Sequence, residues 1–365
     1  MADNNEDLIH LEEDDAGHSC GVSAPSKKKK KKKKKKPVAG NMVRLPGCYV
    51  AHEEADWILG VDVLSPEELE DGPIPDLSVD PDTAVLSAVN VATNKRTFYV
   101  TIGQRAMART GKVLDDAPYV LKDGRKGRCT TFVLVVPPLS VMDVCHLDVP
   151  TGDRKRGDDR LDVYSHISDL AAGSAAKEIA GRGQKLVLEF PLGGCGPYLC
   201  SQGFGGCLTH FTPNTYHAID LDCPSGTLVL AVGNGVVTSV TDECEATGPH
   251  AQNLFDWNSI TLQLDKKGEE CFVVEYVHIA AKSARVKVGD RVRIGDVLCL
   301  SGSVGFCPTP HLHIQCHTST AADAPTVPFE IRHSGGTGVL QAGKSYSRMG
   351  KERSKKLDQE SEEAV

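Results

Sequence analysis

The chain has 365 residues, enough for about two domains, with 40% hydrophobic and 25% charged residues. That balance excludes wholesale disorder, and no apolar run approaches the roughly 18–20 residues that a membrane helix needs. The net charge of −8 hides a division along the chain: residues Lys27–Lys36 are consecutive lysines, and setting their ten positive charges aside leaves −18 for everything else. An acidic body argues against a nucleic-acid-binding domain.

Residues 1–42 join an acidic stretch to the lysine run, and their composition predicts a disordered, solvated segment. Met1–Gly21 lacks the basic start and apolar core of a secretory signal, so a cytoplasmic location is the default expectation. Ser65-Pro66-Glu67-Glu68 has the pattern of a helix start, with an N-cap serine, a first-turn proline and a capping-box glutamate. Ala84–Val91 and Thr97–Ile102 are apolar, β-branched runs around Thr93-Asn94-Lys95-Arg96, which predicts a hairpin. Thr130–Val136 is a further strand after the Asp123-Gly124 turn. A helix is expected over Ser168–Ala180, before Lys185–Phe190 returns to strand. The region 43–192 is therefore expected to be a β-rich, sandwich-like accessory domain.

The second half is more regular. Thr227–Val232, Gly235–Val240, Ser259–Leu264, Cys271–His278, Val297–Ser301 and His311–Cys316 are short strands between Gly, Asn and Asp turns, the spacing of an antiparallel sheet. The overall class is mainly β, with an antiparallel core over 193–347 and a charged, disordered tail over 348–365. The 13 cysteines include no Cys-x-x-Cys, which excludes zinc ribbons and thioredoxin-type sites; they read as reduced, mostly buried thiols.

The chemistry-bearing residues are histidines. In a strand, His311 and His313 point to one face while Leu312 points to the core. Tyr276-Val277-His278 is expected to repeat that geometry on another strand. Asp220 stands at a strand end before a turn, and His210 lies upstream. Three N/O ligands with an open fourth position define a catalytic zinc site, and four histidines with one aspartate suffice for that set.

The succession Gln202-Gly203-Phe204-Gly205-Gly206, Thr209-His210, Ala218-Ile219-Asp220, Pro224-Ser225-Gly226-Thr227, Tyr276-Val277-His278, Val288-Gly289-Asp290 and Pro310-His311-Leu312-His313 resembles the lysostaphin-type zinc metallopeptidases, family twenty-three of the metallopeptidases. The resemblance covers about Phe190–Tyr346. It implies one zinc per chain held by His210, Asp220 and His313, with His278 and His311 as the catalytic histidines. It also implies a peptide or peptidoglycan substrate cut by zinc-activated water. In the commoner family pattern the first histidine lies four residues before the aspartate, where this chain has Tyr216. His217, three before, would need a bulge to share a metal with Asp220. His210, ten before, is preferred, and Asp222 is a rival to Asp220. The alternative is a peptidase-like module without activity, which binds cell-wall peptides or regulates a partner.

Overall fold

The computed structural model describes residues 41–350 apart from 52–54, 56, 71, 149–162, 170–185, 195, 266–270 and 322–323. The expected disordered ends, the lysine run and most of the Ser168–Ala180 helix lie outside the described residues. Met42 and Met349, assigned by sequence to those ends, are both buried, and Met42 bridges Gln202.

The architecture is mainly β. Eight strands form one antiparallel sheet in the order Arg291–Val292, Gly235–Thr241, Ser259–Leu264, Val273–Val277, His311–His317, Ile219–Asp222, Tyr198–Gln202, Ser345–Tyr346. Alternation fixes its faces. Leu312, Ile314 and Cys316 join Leu221, Val274 and Tyr276 in one core, so the odd-numbered residues of His311–His317 face the other way. The strand is nonetheless buried along its whole length. Buried histidines on the second face need partners, which the site supplies.

Two further sheets make up most of the first half. One runs Gly60–Val63, Ser140–Leu147, Val85–Asn90, Leu77–Val79; the other contains Val163–Ser168, Arg96–Ile102, Lys126–Val136 and Ala117–Val120. Their inward residues, among them Leu86, Met142, Phe98 and Phe132, form a shared core. Ser65 and Glu68 cap a short helix over Pro66–Glu70 reciprocally, at 3.2 Å and 2.8 Å.

Two sequence expectations need correction. Val85–Asn90 and Arg96–Ile102 are strands, but not a hairpin: the first pairs with Ser140–Leu147 and the second with Lys126–Val136, in different sheets. The turn is a corner of the sandwich, held by Asn90, whose amide donates to the carbonyls of Asn94, Val136 and Pro137. Apolar runs flanking a turn look alike whether they pair edges or face each other across a core. Secondly, the chain does not part at residue 192. Leu186, Leu188, Phe190 and Leu192 belong to the second-half core, and Thr247–Gly248 and Gly305–Phe306 extend the sheet of the first half beyond Ala117–Val120.

Candidate metal centre

Sheet register builds the site. Asp220 stands directly opposite His313 on the neighbouring strand, and Gln202 opposite Asp220 on the next, so these three form one row across three strands. His210 follows a turn, where its backbone N–H donates to Gly206 at 2.9 Å. Its Nδ1–H donates to the Gly203 carbonyl at 3.1 Å, which leaves Nε2 as a lone pair. The Nε2–H of His313 donates to Gln315 Oε1 at 3.1 Å, leaving Nδ1 as a lone pair. Both tautomers follow from the hydrogen-bond network.

Three acceptors therefore converge. His210 Nε2, His313 Nδ1 and Asp220 Oδ1 lie 3.1, 3.0 and 3.2 Å apart, and all three side chains are buried. No donor stands between two imidazole lone pairs and a carboxylate, an arrangement that a cation satisfies. The spacing fits the edge of about 3.3 Å expected for a tetrahedron with metal–ligand bonds of about 2.0–2.1 Å.

His311 and His278 flank this group. His311 Nε2 lies 3.6 Å from Asp220 Oδ1, and its Nδ1–H donates to the Thr309 carbonyl at 2.7 Å, with Cys307 Sγ 3.2 Å away. The rings of His278 and His311 are 4.6 Å apart. His278 does not arrive by strand alternation, as the sequence suggested. The strand ends at Val277, and a continued strand would send His278 into the core beside Tyr276. A left-handed backbone at φ 63° turns it toward the other histidines instead.

Burial shapes the electrostatics. It pushes His278 well below the ordinary imidazole pKa, aided by His311 and His313, so its ring is neutral. Burial lowers His210 as well, against the opposing pull of Asp220. For Asp220, burial favours the protonated acid, but the imidazoles of His210 and His311 beside it, wherever they carry a proton, pull its carboxyl well below the usual carboxylate range. Burial also opposes charge on His311, yet Cys307 and Asp220 raise it above its ordinary value.

His217 is turned away: its Nδ1 donates to the Thr326 carbonyl at 3.0 Å and its ring packs edge-on against Phe204. Asp222 pairs in register with His311, two residues along from the Asp220–His313 pair. Sequence reasoning missed the supporting amides. Gln202 is fully buried; its Nε2 donates to Asp220 Oδ2 at 2.9 Å and to Thr209 Oγ1, while its Oε1 accepts from the Leu208 and Thr209 backbones. Gln315 passes from His313 to Glu275, donating to its carboxylate at 2.8 Å. Their only sequence signal was a glutamine in phase with ligand positions on a strand.

His210, Asp220 and His313 form a group that could hold a metal ion, in a β-sheet region that matches a metallopeptidase family. Residues 214–328 match the model of Peptidase family M23, so the chain carries an M23 domain. That family comprises zinc-dependent hydrolases acting on peptide bonds. Asp220, His278, His311 and His313 lie within the matched residues, and His210 lies just before them. A stretch of 101 residues is 32% identical to an "Uncharacterized metalloprotease" of Buchnera aphidicola subsp. Baizongia pistaciae (strain Bp), covering 27% of this chain and 22% of that protein. The chain thus spans about a fifth of that relative's length. Among solved structures, the catalytic domain of the antimicrobial peptidase lysostaphin from Staphylococcus simulans is 24% identical, with a TM-score of 0.25, over 37% of this chain and 86% of that one. A zinc-containing peptidase from Vibrio cholerae is 16% identical, with a TM-score of 0.24, over 44% and 40% of the respective chains. No helix among the described residues is long and apolar enough to cross a membrane.

Proposed function

We propose that the protein is a zinc metalloendopeptidase that cuts peptide cross-links or stem peptides of peptidoglycan, with one zinc held by His210, Asp220 and His313. The observation that carries this reading is the convergence of two imidazole lone pairs and a carboxylate oxygen within 3.0–3.2 Å, at buried positions in an M23 domain. A zinc held there would supply Lewis acidity, lowering the pKa of a bound water toward about 7 and polarising the peptide carbonyl.

The chain's own residues handle the protons. His278 and His311 each commit Nδ1–H to a backbone carbonyl, at Val304 and Thr309, which leaves Nε2 facing the site. That Nε2 is an acceptor on the neutral ring of His278, and an acceptor on His311 once a cation held by Asp220 offsets the carboxylate charge that favours its protonated form. One of these acceptors takes the proton of the attacking water and the other orients it. We assign proton transfer to His311, the nearer to Asp220, and orientation to His278, whose burial keeps it neutral. A protonated His311 then has a donor to offer the leaving amine. The β-rich region before Leu186 serves in this proposal as a part of the chain continuous with the peptidase core through shared sheet and core contacts.

The test is release of new amino termini from purified peptidoglycan, with and without a chelator, by the unmutated protein and by His311→Ala. The proposal expects chelator-sensitive cleavage, reduced at least about a hundredfold in His311→Ala with zinc retained. A zinc-loaded, unmutated protein that binds peptidoglycan and releases no termini would instead identify a binding module.

A further inference from the structure

The strand Arg96–Ile102 belongs to the first half, yet it is buried on both faces from Thr97 onward. Phe98, Val100 and Ile102 enter the sandwich core, whereas Tyr99 points the opposite way into a cluster with Leu208, Phe211, Ala251 and Phe306. The Tyr99 ring stacks on Phe211 at 6.3 Å and meets Phe306 edge-on at 6.0 Å. Its hydroxyl donates to the Leu208 carbonyl at 2.5 Å, in a fully buried setting. Leu208 and Phe211 bracket His210. Phe306 closes the segment that begins at Val304, the acceptor for His278. A single side chain from the first half therefore touches both loops that aim imidazoles at the candidate centre.

The surrounding polar contacts point the same way. Ala251 N–H donates to Thr101 Oγ1 at 2.9 Å, and Thr131 Oγ1 donates to the Pro249 carbonyl. Thr247 Oγ1 donates to the Ser303 carbonyl, one residue before Val304. Burial of the ring needs only a phenylalanine; the hydroxyl adds a specific tie to the backbone two residues before His210.

We infer that Tyr99 is a positioning residue for the metal centre, through which the first half of the chain fixes the 208–211 loop and with it His210 Nε2. This inference rests on the reading of His210 as a zinc ligand. It makes the first half a structural part of the site, not an appended module.

The test is Tyr99→Phe in the full chain, which keeps the ring and its packing and removes only the hydroxyl. Zinc affinity, measured by competition with a chromophoric chelator, is expected to fall about tenfold, as for other residues that orient a ligand from outside. The visible absorption of the cobalt-substituted protein is expected to shift. In metal-free protein, amide hydrogen exchange at 208–211 is expected to speed up, with the amides of Val274–Tyr276 unchanged. A tyrosine that merely adds stability would leave the affinity and the cobalt bands as they were, and zinc affinity within twofold of the unmutated protein overturns the inference. If the unmutated protein takes up no zinc, the ligand reading fails instead, and the exchange comparison alone decides whether Tyr99 holds the loop.

Discussion

His278 donates its Nδ1–H to the carbonyl oxygen of Val304 at 2.6 Å, from a left-handed backbone conformation that β-strand residues do not adopt. The two features belong together. The left-handed turn takes the imidazole out of the core direction of the Val273–Val277 strand, and the Val304 carbonyl then fixes its tautomer and angle. Strained backbone of this kind persists where the surroundings over-determine it. Here Gly302 does so, since its N–H donates to the His278 carbonyl at 2.9 Å.

Gly302 leaves no room for a side chain. A Cβ there would lie 2.7 Å from the Ala280 backbone and 3.0 Å from the His278 carbonyl. Gly302→Ala is expected to displace His278 while the three proposed metal ligands, His210, Asp220 and His313, stay in place. Peptide hydrolysis should fall about ten- to a hundredfold, since small misplacements of a reacting group cost that much. Zinc content should be unchanged. Parallel measurement of zinc stoichiometry and cleavage rate checks this, and equal loss of both would show that the turn is coupled to the proposed ligands.

Gln202 is a second point of leverage. Replacing it with leucine conserves volume but leaves the Leu208 and Thr209 amides without their acceptor and Asp220 Oδ2 without its donor. The expected destabilisation is about 2–4 kcal/mol, read from urea unfolding, because buried groups lose partners rather than surface. Zinc affinity should drop about ten- to a hundredfold. Stability loss without an affinity change would confine Gln202 to the fold.

Far from the site, Glu68 offers a pH test of the capping box. The backbone N–H of Ser65 and then its hydroxyl donate to the carboxylate, which holds Glu68 below the usual glutamate range. A folded value below the unfolded one means the carboxylate's contribution is complete above the unfolded pKa and is lost as pH falls through the lowered value. Ser65→Ala removes the hydroxyl donor, so the Glu68 titration followed by NMR should move to higher pH. An unmoved midpoint would assign the whole shift to the backbone donor.

Most of the candidate site was legible because strand periodicity is simple. His311 and His313 two apart, with Leu312 between, could only share a face, and Asp220 on an apolar strand had to meet a neighbour across the ladder. The capping box was legible for a similar local reason. What local pattern does not carry is a change of conformation at one residue, hence the wrong route assigned to His278, or the choice between pairing edges and facing across a core, hence the hairpin expected at Thr93–Arg96. Gln202, Gln315 and Tyr99 escaped because each acts through a long-range contact. A tyrosine in an apolar strand reads as core, and nothing within Arg96–Ile102 tells that its hydroxyl meets Leu208, more than a hundred residues on.

The central claim is that His210, Asp220 and His313 hold a metal, and metal content by mass spectrometry across single substitutions tests it most directly. The account predicts about one zinc per chain in the unmutated protein and in His217→Ala, and marked loss in His210→Ala, Asp220→Ala and His313→Ala, since each removes one of only three protein ligands. Full zinc occupancy in Asp220→Ala and His313→Ala, or loss of zinc in His217→Ala with retention in His210→Ala, would contradict it.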